Sequence, residues 1–266
     1  MPSQLPSLPP GLAALSARLS QIGFERTRRA LAGLVLSAFA TIFFLVSLNA
    51  PDGFGRVFVA LSVCYGVAFV GVVAEWFWGR WFATGLAWSG VMLAIAVMSQ
   101  AGWMPAMALF GGLHLTVAVA LMGKKMMERY DLQEGWRERF KIDEYGVARL
   151  RKAVTSAAAS LPSMIVWVLA PKPDALSTVG SLAALVLTVA GLRGLIRLRS
   201  WGVLALGGAG ILLASLGDMT RLAHWHSEFG SANTLAFAAP GVAFICLAVA
   251  VLPFVRPMAR FLRRAA

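Results

Sequence analysis

Charged side chains are scarce in this chain. Only 14% of its 266 residues are Asp, Glu, Lys or Arg, and 59% are hydrophobic. A soluble domain carries about 25% charged residues, so a water-facing globule is excluded and a membrane protein is indicated. Cysteine is rarer still, and two residues, Cys64 and Cys246, cannot build a disulfide framework. Histidine is limited to three positions. No CxxC or HExxH pattern, Walker sequence or Gly-rich phosphate loop accompanies them. The 26 glycines and 12 prolines fall short of a low-complexity composition.

Long apolar runs are abundant instead. A bilayer core about 30 Å thick takes roughly 20 helical residues. Eight runs of about that length, bounded by charges, Pro or Gly, predict an all-α polytopic membrane protein with eight transmembrane helices. They are Ala30 to Leu48, Val57 to Trp78, Trp81 to Met98, Met104 to Met122, Ala153 to Ala170, Ser177 to Leu198, Trp201 to Leu216, and Leu235 to Val255. Arg193 and Arg197 shorten the uninterrupted part of the sixth run, which then relies on snorkelling arginines. The first run is longer than a signal-peptide apolar core and is expected to be retained as a span.

The basic residues give the orientation. With eight crossings, 21 of the 24 Lys and Arg fall on one side, and only Arg56, Lys172 and Arg221 on the other. Basic loops stay cytoplasmic, so both termini are predicted inside, and the net charge of +12 is topological and needs no nucleic acid. The excess of Arg over Lys, 19 to 5, together with abundant Ala, suggests a GC-rich bacterium and hence its inner membrane. Pro2, Pro6, Pro9 and Pro10 disfavour helix at the start of the chain, after which Leu12, Leu15, Leu19 and Ile22 predict a short amphipathic helix on the inner leaflet.

The chain also matches itself. GFERTRRAL, from Gly23, corresponds to GVARLRKAV, from Gly146, at a spacing of 123, each just ahead of a span. Pro51 and Asp52 then correspond to Pro173 and Asp174, and Trp81 is paired with Trp201 at a spacing of 120. Two four-helix halves, residues 30–123 and 153–255, are therefore expected in a parallel pseudo-two-fold repeat. They are flanked by a cytoplasmic segment 1–29, a cytoplasmic amphipathic loop 124–152 and a basic tail 256–266. Gly90 with Ala94, and Gly210 with Ala214, place small residues four apart on the third span of each half, where helices can approach closely.

Few polar residues are available for chemistry. His114 lies near the middle of the fourth span, where a neutral imidazole bonded to a neighbouring helix is the expected state. Glu75 sits at the inner end of the second span beside Trp76, Phe77, Trp78 and Trp81, with Arg80 or Arg193 as its expected partner. AWSG at Ala87 to Gly90 lacks the first glycine of the GxSG of rhomboid intramembrane proteases, and its histidine lies on the very next span. It identifies no family. The densest functional chemistry is the outer loop, where Asp218, His224, His226 and Glu228 fall within eleven residues and form a weak candidate site for Zn or Cu.

In the loop 124–152, Leu132, Trp136 and Phe140 form an apolar stripe at helical spacing. An interfacial helix is expected there, with Tyr130 and Tyr145 as further aromatic residues for docking a partner. The leading expectation is a non-enzymatic protein without a cofactor, held by the lipid bilayer, serving either as a scaffold among partner subunits of a membrane assembly or as a small-solute or lipid transporter. The alternative is a membrane-embedded enzyme or metal-handling protein using the loop 218–233.

Overall fold

A computed structural model describes residues 23–50, 54–131, 133–140, 142–169, 174–216 and 233–265. Those residues form helices and connections only. The helices are α1 (Phe24–Asn49), α2 (Phe54–Val73), α3 (Gly79–Ala101), α4 (Pro105–Leu121), α5 (Lys124–Asp131), α6 (Glu134–Phe140), α7 (Glu144–Leu169), α8 (Ala175–Ile196), α9 (Trp201–Leu216) and α10 (Asn233–Ala265). The predicted helix within residues 12–22 and the loop 217–232 lie outside the described residues.

Six helices are long and apolar enough to cross a membrane, and a seventh is added if α4 and α5, bent by 73° at their junction, are taken together. The chain is thus a multi-pass helical membrane protein by its structure as well as its composition. The seventh run, α9, has only 16 residues, which rise about 24 Å at 1.5 Å each.

Local chemistry sets the helix ends. Ala50 is extended, as the residue before a proline must be, and it stops α1. Pro105 opens α4 at a first-turn position where its missing N–H costs nothing. Asp174 caps α8, accepting from the Ser177 N–H at 2.7 Å and the Ser177 hydroxyl at 2.9 Å. α2 buries one stripe. It runs through Val57, Leu61, Tyr65, Ala68 and Val72, while Val59, Val63 and Val67 face outward.

Two predicted spans end earlier than their apolar runs. The second stops at Val73 rather than Trp78, and the sixth at Ile196 rather than Leu198. In both cases the next turn places a non-glycine residue in the left-handed region, Glu75 at φ 55° and Leu198 at φ 56°. The two turns have the same hydrogen bonds. Glu75 N–H donates to Val72 O and Trp76 N–H to Gly71 O, as Leu198 does to Leu195 and Arg199 to Gly194. Both are helix C-terminal motifs of the kind that usually ends on glycine.

Both turns also bring two glycines together. A Cβ on Gly79 would overlap the Gly71 backbone, and one on Gly202 the backbone of Gly191 and Gly194. Aligned on these turns, Trp78 corresponds to Trp201 at a spacing of 123, where the sequence match pairs Trp81 with Trp201 at 120.

Eight of the described helices form two rings. The packing order α1, α2, α3, α4 and back to α1 is repeated by α7, α8, α9, α10 and back to α7. The rings join where α7 lies against α3 and α2, and one hydrophobic core runs through both. Accordingly, 61% of the apolar window of α7 is buried, against 44% or less in every other span that passes the length test. Small residues permit this close crossing. A Cβ on Gly85 would overlap Thr155 O and press on Ala158.

Candidate functional site

The polar chemistry of the described residues gathers where the start of α1, the α2–α3 turn, the end of α4, α5 and the start of α7 meet. This end of the bundle also carries most of the arginines, so it is the basic end. α4 stops with extended Met122, and Gly123 at φ 106° turns the chain into α5. Only glycine adopts that angle freely. Arg28 then donates to Val119 O at 2.6 Å and to Met122 O, a cation satisfying carbonyls that a helix C-terminus leaves unpaired.

Asp131, the last residue of α5, is 1% exposed. A bare carboxylate at that depth would be costly, and four donors answer it. Arg80 contributes Nε at 3.1 Å and Nη2 on the second oxygen, the Trp81 indole N–H donates at 2.7 Å, and Arg151 approaches to 3.5 Å. Arg80 also reaches Leu121 O at 3.3 Å. Arg80 and Trp81 belong to the first ring and Arg151 to the second, so a single carboxylate clasps the two rings together.

Glu75 is paired differently from the sequence expectation. Its partners are Arg29 and Arg129, the latter at 2.8 Å, rather than Arg80 or Arg193. Arg80 is committed to Asp131, and Arg193 is exposed in the last turn of α8, where its charge favours the helix dipole. α5 and Gln133 just beyond it are stitched onto the α2–α3 turn by three side chains. Arg129 holds Glu75, the Tyr130 hydroxyl donates to Val72 O at 2.7 Å, and Gln133 Nε2 donates to Glu75 O at 2.9 Å.

The expected interfacial stripe is therefore not a single helix on the lipid surface. α5 and α6 are separate, and Trp136 is buried with its ring stacked on Phe77 at 4.4 Å. Tyr130 is fully buried, while Tyr145 is 76% exposed. The side chains of Leu132 and Phe140 lie outside the described residues.

His114 is buried within the first ring. Its Nδ1 lies 2.8 Å from Phe110 O, which can only accept, so this nitrogen carries the proton in the neutral ring. Nε2 then accepts from the Tyr65 hydroxyl at 2.6 Å. Phe39 and Phe110 pack on the ring at 4.3 and 4.2 Å between centroids, and a Cβ on Gly90 would overlap it. Both nitrogens are engaged, so neither serves Ser89 on the neighbouring helix.

Asp218, His224, His226 and Glu228 lie outside the described residues. Among the described residues no three His, Cys, Asp or Glu side chains gather to hold a metal. Asp131, Tyr65, Arg29, Arg129 and Arg151 were not singled out by the sequence. Asp131 is one of six acidic residues among nine basic ones in the loop 124–152, and nothing local distinguishes it. Comparison with family models, curated proteins and solved structures finds no match for this chain.

Proposed function

We propose that the chain is a non-enzymatic subunit or scaffold of a membrane assembly, held in a bacterial inner membrane by eight spans with both termini cytoplasmic. The observation that carries this reading is how polar groups at membrane depth are used. A carrier needs uncommitted polar groups near mid-membrane. Here His114 and Tyr65 are bonded to each other, and Ser62 donates across to Ala40 O at 2.7 Å. Ser160, Ser181 and Thr188 donate back to their own helices. Among the described residues these groups are committed to protein partners, which favours scaffold over the small-solute or lipid transporter.

The basic end supports the orientation, because the arginines that hold it together are those that the positive-inside rule keeps cytoplasmic. Two observations support a direct repeat of four spans. The α2–α3 and α8–α9 turns share their hydrogen bonds and glycine pairs at the same spacing of 123 that separates GFERTRRAL from GVARLRKAV, and the rings close in the same order. α9 brings the count to eight crossings as a short span, a mismatch that bilayers accommodate by local thinning.

The test is isolation in mild detergent followed by native mass measurement. A partner of fixed stoichiometry, lost when exposed apolar residues are substituted, is the expected result. A lone monomer stabilised by a small solute would favour transport instead. The alternative, a metal-dependent activity of the loop 218–233, rests on His224 and His226 beside Asp218 and Glu228. Metal content and activity that are unchanged in His224→Ala/His226→Ala would remove it.

A further inference from the structure

Between the α2–α3 turn and the α5–α6 corner lies an open cavity of about 430 Å³, walled by Trp76, Phe77, Trp78 and Trp136, with Glu75 and Gln133 among its polar lining. Cavities of this size hold small organic ligands or parts of larger ones. Phe77 is covered by Trp136 and Trp81, whereas Trp76 is 47% exposed and presents apolar surface to an occupant.

The charge beside the cavity is unbalanced. Arg29 and Arg129 both lie on the single carboxylate of Glu75, which lines the cavity, so one positive charge there is unmatched. Two guanidiniums repel a quaternary ammonium, the other ligand that aromatic walls attract. They favour an anion. The cavity also opens where α2 ends and α3 begins, at the end of the apolar stretch of α2.

We propose that this cavity binds one anionic phospholipid from the leaflet at the basic end, its phosphate on Arg129 and Arg29 and its upper acyl region against Trp76 and Trp78. The site stands whether the chain scaffolds an assembly or carries a solute. A lipid seated there would brace the same turn that α5 is stitched to.

The experiment titrates the delipidated full-length protein in mild detergent with phosphatidylglycerol, with phosphatidylcholine of the same chains, and with inorganic phosphate, reading bound lipid by native mass spectrometry. One phosphatidylglycerol should bind about tenfold more tightly than phosphatidylcholine, as one or two charge-assisted hydrogen bonds allow. Trp76→Ala and Glu75→Gln/Arg129→Gln should each remove that one lipid and leave weaker lipids on other basic surfaces. The double substitution removes one charge of each sign, so the net charge of the turn is unchanged. Trp76→Ala changes a half-exposed side chain, so its effect is not one of folding. Equal binding of the two lipids, unchanged retention in Trp76→Ala, or displacement of the lipid by millimolar phosphate would each overturn the proposal, the last by identifying a free-anion site.

Discussion

Asp131 is the residue on which most structure depends. Arg80, Trp81 and Arg151 all donate to it, and removing one side of a buried ion pair strands the other. Asp131→Ala is therefore expected to cost about 3–5 kcal/mol, measured by unfolding in mild detergent. Arg80→Met/Asp131→Leu should lose less than Asp131→Ala alone, since apolar replacement of both partners spares the desolvation of a lone charge. A loss below about 1 kcal/mol, the range of an exposed pair, would mean that the carboxylate is hydrated. Tyr130, beside it, holds its proton to higher pH than a surface tyrosine. Burial pushes its hydroxyl pKa up, against the pull of Arg29 and Arg129. The folded state thus keeps a proton that the unfolded chain releases. Its contribution to stability is present below the ordinary tyrosine pKa of about 10 and fades as pH rises through the higher folded value. The melting temperature of the native protein should therefore fall more steeply above about pH 10 than that of Tyr130→Phe.

Among the elements, the two short turns are the sharpest comparison. Gly79 and Gly202 occupy equivalent places, each against the backbone of the preceding helix. Gly79→Val and Gly202→Val should each destabilise by about 1–3 kcal/mol or more, the cost of overpacking. Tolerance of either one, read in the same unfolding assay, would break the equivalence on which the repeat rests. The turns also explain where the apolar pattern overran. Val57 to Trp78 reads as one run because Trp76, Phe77 and Trp78 are as apolar as a span. The chain nonetheless leaves the helix at Glu75, where a left-handed residue and the Gly71–Gly79 contact let α3 start back. Hydrophobic periodicity carries no information about that backbone angle.

For the whole molecule, orientation is open to direct measurement. Tyr145 and Trp103 are 76% and 77% exposed and lie at opposite ends of the bundle, whereas Trp136 is too buried to report. In a Cys64→Ala/Cys246→Ala background, Trp103→Cys should react with an impermeant thiol reagent added outside intact cells, and Tyr145→Cys only after lysis. The reverse pattern would place the basic end outside and contradict the positive-inside reading. That reading came from composition, as did the helical class and the position of all eight runs, because a span is a one-dimensional property: about 20 apolar residues between charges. Packing is not. Glu75 and Arg80 are five positions apart, yet one bonds Arg29 and Arg129 and the other Asp131. Which of 24 basic residues meets which carboxylate depends on how α5 folds back beneath α2 and α3. The burial of Asp131, Tyr130 and Trp136, and the opening of a cavity beside them, arise from that same fold. Each is a contact between segments some 50 residues apart in sequence, and no local pattern of charge or hydropathy records it.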